Sequence, residues 1–183
     1  MLQLIIPGAR LFDERTNRFI DVKEHSLQLE HSLMSLSKWE SITCKPYLTK
    51  EPKTPNEIRE YVKCMTITQN VNPDVYYGLT NELIDKVVEY IEAPMTATWF
   101  NEAAPQKPSR QIITSELIYY WMIAYNIPFE CQKWHLNRLL TLIKVCEIKN
   151  RQANSKKKRP KAEILSNNYA MNMARRAKTG SKG

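Results

Sequence analysis

The sequence predicts an α+β fold: a small N-terminal antiparallel sheet packed on a mostly helical body, with a basic C-terminal helical tail. Three observations lead there. Short alternating or turn-bounded apolar runs fill the first 31 residues, whereas from Ser32 onward apolar residues recur at helical spacing. The chain has 4 Gly and 10 Pro in 183 residues, too few turn-formers for a many-stranded sandwich. Its charge is uneven. Lys144–Gly183 carries twelve Lys and Arg against two acids, a net of +10, while the preceding residues, with 15 bases and 17 acids, sum to −2.

The organisation that follows is a body over 1–150, β-rich in 1–31 and helical in 32–150, then a basic linker over 151–160 and a basic amphipathic tail over 161–183. With 43% apolar residues the body can bury one core. Leu2–Ile6 is a short apolar strand closed by Pro7-Gly8, a turn dipeptide. Leu11-Phe12 and Phe19–Val22 flank a polar connection of hairpin length, Asp13–Asn17. Leu27 and Leu29 alternate with Ser26, Gln28 and Glu30, as in a strand with one wet face.

Helices come next. Ser32 or Ser35 can cap the first, with Leu33, Leu36 and Trp39 recurring towards Cys44. Lys45–Lys53 is a Pro-punctuated loop. Thr54, Pro55 and Glu57 form a capping box with Pro at the first helical position, ahead of Ile58, Tyr61, Val62 and Met65. Asn72-Pro73-Asp74 repeats the cap-then-Pro signal for a short turn through Tyr77. Thr80 opens a helix with the stripe Leu83, Ile84, Val87, Val88 and Ile91, which Pro94 ends. Polar Asn101–Arg110, with two prolines, is a loop.

Thr114 caps Ser115–Tyr125, whose Leu117 to Ile123 are apolar all round. Leu117, Ile118, Trp121 and Met122 serve the body, while Tyr119, Tyr120 and Ile123 point away from that stripe and call for another cover, a second copy or the N-terminal sheet. After Asn126-Ile127-Pro128 a helix is expected from Phe129 to Asn150, with the stripe Leu136, Leu139, Leu140, Ile143 and Cys146. Lys156-Lys157-Lys158-Arg159 lies in the linker, and Pro160 introduces a moderately amphipathic helix bearing Ile164, Leu165, Tyr169, Met171 and Met173, closed by Gly180.

Chemical motifs are scarce. Cys44, Cys64, Cys131 and Cys146 form no C-x-x-C pair and read as reduced thiols of a cytosolic chain. Cys131 and His135 stand four apart on the expected helix, but structural zinc takes four ligands and no second pair is near. They read as a buried thiol beside a helix-face histidine. His25 and His31, on one face by alternation, read as solvated hydrogen-bonding histidines. The four glycines, at 8, 78, 180 and 183, cannot build a phosphate loop. No enzymatic activity, metal or cofactor is expected. MLQLIIPGARLF lacks a basic n-region and reads as a strand, not a signal peptide, and no apolar run is long enough for a bilayer. A soluble, intracellular chain with no membrane partner is the expectation.

Interaction is therefore where the sequence speaks. The tail, through Lys156, Lys157, Lys158, Arg159, Arg175 and Arg176, could pair with nucleic-acid phosphates, but Tyr169 is its single aromatic, which gives little base stacking. Cations beside Ile164, Leu165, Tyr169 and Met171 suit better a helix entering an apolar protein groove with an acidic rim.

The stretch ITSELIYYWMIAYNIPFECQKWHLNRLLTLIKVCEIKN, ending at Asn150, together with LQLEHSLMSLSKWES (27–41), IEAPMTATWF (91–100) and the tail with Arg175-Arg176, resembles a family of small proteins of tailed bacteriophages and prophages, the tail assembly chaperones. The resemblance spans nearly the whole chain. It implies a non-enzymatic factor in the cytoplasm of the infected bacterial host that binds the tape-measure protein, and with it the tail-tube protein, during tail-tube assembly, and it offers no catalytic residues. A structural virion protein, such as a tail or connector component, and an accessory nucleic-acid-binding protein are the rival readings.

Overall fold

The structure, a computed structural model, describes residues 1–13, 17–49, 51–100, 111–157 and 169–173. It has an α+β architecture. Strands β1 (Leu2–Ile6), β2 (Ala9–Asp13), β3 (Arg18–Val22) and β4 (His25–Leu29) precede helices α1 (Leu33–Thr43), α2 (Pro55–Met65), α3 (Asn81–Glu92), α4 (Ser115–Ala124) and α5 (Leu136–Lys157), with 3₁₀ turns at Pro73–Gly78 and Phe129–Lys133. The chain divides after Ile143 into two units, Met1–Ile143 and Lys144–Gly183.

The strands make two separate antiparallel pairs. β2 and β3 form the expected hairpin, with Phe12 opposite Phe19. β1 pairs instead with β4, Leu2 opposite Leu29 and Ile6 opposite His25. Alternation explains this choice: Leu4, Ile6, Leu27 and Leu29 are all buried, so the β1–β4 ribbon has one apolar face to give the core. On its other edge β4 meets the end of α2, where the Glu30 N–H donates to Met65 O at 2.9 Å and the Ile67 N–H to Gln28 O at 2.8 Å. Gly78 is the close approach that seats the turn Pro73–Gly78 on the strands. A Cβ there would lie 2.8 Å from Ile6 Cγ2 and 3.1 Å from Val22 Cγ1.

The helix starts follow local chemistry. Ser32 caps α1 in a box with Ser35, and Thr54 caps α2 in a box with Glu57. Asn72 accepts the Asp74 N–H, and Thr80 accepts the Leu83 N–H. Lys45 and Glu57, 2.6 Å apart, tie the loop after α1 to the start of α2. That contact, then the Thr54 N–H and hydroxyl, lowers the Glu57 carboxyl to about 2, and Glu57 in turn raises the Lys45 ammonium. Thr114 takes the cap position of α4 without a capping hydrogen bond. On α3 the buried positions are Val87 and Tyr90; of the expected stripe Leu83, Ile84 and Ile91 are half-buried and Val88 is exposed.

Two boundaries differ from expectation at the C-terminal end. The helix expected from Phe129 begins at Leu136, because Phe129–Lys133 winds as a 3₁₀ turn and His135 leaves it extended, bridged antiparallel to Ser32. The Leu136 N–H donates to His31 O at 2.7 Å, so a backbone bond to a distant segment outcompetes one more helical turn. Conversely, α5 runs through Lys157, so Arg151–Lys157 is helix where a linker was expected. No Gly or Pro interrupts the chain before Pro160, and Arg151 pairs with Glu147 one turn back at 2.6 Å. The expected loop 101–110 lies outside the described residues.

Candidate functional site

α4 presents one face to the body and another to the surface. Its only charged residue is Glu116, in the first turn, and Ser115, Ile118 and Met122 are its buried positions. Those side chains, with half-buried Leu117 and Trp121, face the body, where α4 packs on α1. The N-terminal strands do not cover its other side: Tyr120 is 63% and Ile123 61% exposed. Tyr119, the third residue singled out from the sequence, is only half-exposed, its hydroxyl donating to Gln132 Oε1 at 2.9 Å and its ring 6.4 Å from that of Phe129. Phe129 is itself exposed and extends the apolar surface beyond the helix. The sequence reading missed Phe129 by placing it inside a helix; the preceding Pro128 was the available signal.

The C-terminal candidates divide by what the structure describes. Lys156 and Lys157 stand in the last turn of α5, at its partially negative end. Tyr169 and Met171 lie with Met173 in helical backbone over 169–173, all three exposed, Tyr169 by 68%. Lys158, Arg159, Ile164, Leu165, Arg175 and Arg176 lie outside the described residues.

Two of the histidines, His31 and His135, meet inside the protein. His31 is 2% exposed rather than solvated, and its Nδ1 lies 2.6 Å from the Tyr61 hydroxyl. His135 is buried too, as is Cys131, and it precedes α5 instead of standing on a helix face. Its Nδ1 accepts the Asn137 N–H at 3.3 Å, which leaves Nε2 as donor to Tyr90 O at 2.9 Å. The two imidazole rings meet edge to face with centroids 5.1 Å apart. Burial first, then the neighbouring His135, pushes the His31 pKa down to about 3. Burial also lowers that of His135, against the opposing pull of the Tyr90 carbonyl and Glu30. Around them, the Tyr90 hydroxyl donates to Glu30 Oε1 at 2.7 Å, and the Met1 ammonium reaches Glu30 Oε2 at 3.2 Å. Burial raises the phenols of Tyr47, Tyr61 and Tyr90, which keeps them neutral donors. Both nitrogens of His135 are engaged inside the protein, and the cluster ties the starts of α1 and α5 to α2 and α3.

Beside it lies a cleft of about 400 Å³ between the first turns of α1 and the end of α2, lined among others by Met34, Lys38, Met65, Ile67 and Lys133. Glu40, on the next turns of α1, is turned inward and is 8% exposed; it accepts the Tyr47 N–H at 2.9 Å and the Ser115 N–H at 2.7 Å. Among the described residues no three His, Cys, Asp or Glu side chains are placed to hold a metal ion, and Cys44, Cys64, Cys131 and Cys146 are free thiols. No described helix is long and apolar enough to cross a membrane. No protein-family model, curated protein or solved structure matches this chain.

Proposed function

We propose that this protein is a non-enzymatic assembly factor, a phage tail assembly chaperone that binds the tape-measure protein, and with it the tail-tube protein, in the cytoplasm of an infected bacterium. The observation that carries the reading is the separation of charge: a body of net −2 against a C-terminal segment of net +10. Exposed Tyr169, Met171 and Met173 give that segment apolar contacts to go with its cations. Such a segment offers a long partner both ion pairs and apolar anchors, the make-up of helix-in-groove recognition. The uncharged face of α4 around Tyr120 and Ile123 supplies self-association, which lets several copies line one extended client. The likeness of the helical stretches to tail assembly chaperones names that client. Isolation of the tagged protein from infected cells tests the reading: the tape-measure protein should come with it, and the mature particle should lack it. A particle that retains this chain in stoichiometric amount points instead to the structural-component reading.

A further inference from the structure

We propose that the cleft between the start of α1 and the end of α2 is a second docking site, one that takes an acidic segment of a partner protein with an apolar side chain as anchor. At about 400 Å³ it is of a size to seat a few side chains. Its apolar wall is Met34 and Ile67, with Met65, 1% exposed, buried behind them. Ile67 remains exposed, and the unbranched Met34 adapts to whatever side chain meets it.

The charge of the occupant follows from the cations. Lys38 and Lys133 line the cleft, both are exposed, and among the described residues neither has an ion-pair partner. Among the described residues Glu30 is the one acid in the lining, and its two oxygens are engaged by the Tyr90 hydroxyl and the Met1 ammonium. The first turn of α1, which also borders the cleft, carries no acidic residue to offset its positive end. Two uncompensated cations and a positive helix end beside an apolar wall complement a segment in which carboxylates flank a leucine-like side chain. The described residues that line this site all belong to the body.

The test is a residue-resolved ¹⁵N NMR titration of the full chain at low ionic strength with the capped pentapeptide Glu-Leu-Asp-Leu-Glu and its neutral counterpart Gln-Leu-Asn-Leu-Gln. The acidic peptide should give saturable shifts at Lys38, at Cys64–Ile67 and at Lys133, with millimolar or tighter affinity. Lys38→Gln and Lys133→Gln, both surface changes that leave the remaining spectrum in place, should each weaken binding by about three- to fivefold, the scale of a partly exposed ion pair. Three results overturn the proposal: no shift at those residues at about 5 mM peptide, equal shifts with the neutral peptide, or shifts confined to 144–183. The last would leave the tail reading standing while removing this one, because the two sites are read at different residues.

Discussion

His31 and His135, more than a hundred residues apart in the chain, meet edge to face with ring centroids 5.1 Å apart. They close a seam in which His31 O also receives the Leu136 N–H, and His135 lies beside Ser32 as in a strand pair. The start of α1 and the start of α5 are thereby held together by a neutral imidazole pair.

Acid should loosen this seam. Both histidines have folded-state pKa values below the ordinary 6.5, His31 at about 3. In that window the unfolded chain binds protons that the folded chain refuses, so stability is fully present above about pH 6.5 and falls as the pH drops below it. For His31 the loss is about 1.4 kcal/mol per pH unit between the unfolded and folded pKa values, and His135 acts in the same direction. Urea midpoints measured from pH 7.5 down to pH 4.5 should fall, and His31→Gln, whose amide can still meet the Tyr61 hydroxyl, should flatten the slope by about one proton. Equal slopes for the two proteins would mean that His31 titrates normally.

Glu40 should matter far more than a helix-surface glutamate. Its side chain accepts the Tyr47 and Ser115 N–H groups and so fastens the loop after α1 and the first residue of α4 to one point on α1. Glu40→Ala leaves both buried donors without an acceptor, at about 1–3 kcal/mol each. Glu40→Gln keeps one acceptor oxygen and should cost less. The comparison is a pair of urea melts; an alanine variant within about 0.5 kcal/mol of the wild type would show that water replaces the carboxyl group without penalty.

Legibility from the sequence followed the range of the forces involved. The cap at Ser32, the capping box of Thr54 and the turn after Asn72 depend on neighbours within a few residues and are present; of the stripe on α5, Leu136, Leu139 and Ile143 are buried and Leu140 and Cys146 half-buried. What failed depends on distant partners. The pairing of β1 with β4 skips a whole hairpin, and its period-2 pattern says which face is buried but not which strand lies alongside. His135 reads as helical until Ser32 arrives to hold it extended. Glu40 and His31 look like solvated polar residues because nothing near them in sequence shows the N–H groups or the phenol that receive them. For the candidate surface, the apolar excess of α4 marked Tyr120 and Ile123 correctly as exposed, whereas Tyr119 is partly turned towards Gln132 and Phe129.

The face of α4 should drive self-association. Tyr120 and Ile123 expose most of their surface on a helix with no charge beyond its first turn. Covering such side chains in a second copy contributes about 1.5–3 kcal/mol each before ordering costs. Sedimentation equilibrium at micromolar concentration should show a mass above that of the monomer, and Ile123→Glu should return it to monomer without lowering the melting temperature, since Ile123 supports nothing inside. A wild-type protein that is monomeric under these conditions removes α4 as an interface.

The C-terminal segment separates the remaining alternatives. If it docks on a protein, apolar residues count as much as charge. Burying Ile164, Leu165 and Met171 would contribute about 1.5–3 kcal/mol each before ordering costs, whereas an exposed ion pair gives under about 1 kcal/mol. Replacing Ile164 and Leu165 with Ser should then abolish binding of the tape-measure protein with every lysine still in place. On a nucleic acid the same double change should be nearly silent. Neutralising Lys156, Lys157, Lys158 and Arg159 should there reduce the slope of log affinity against log salt by about one unit for each phosphate no longer paired. The body of net −2 favours the first outcome, because its overall charge adds no attraction for a polyanion. Tape-measure binding that survives the Ser double change would show that charge alone carries the interaction, and the role of Ile164 and Leu165 would have to be given up.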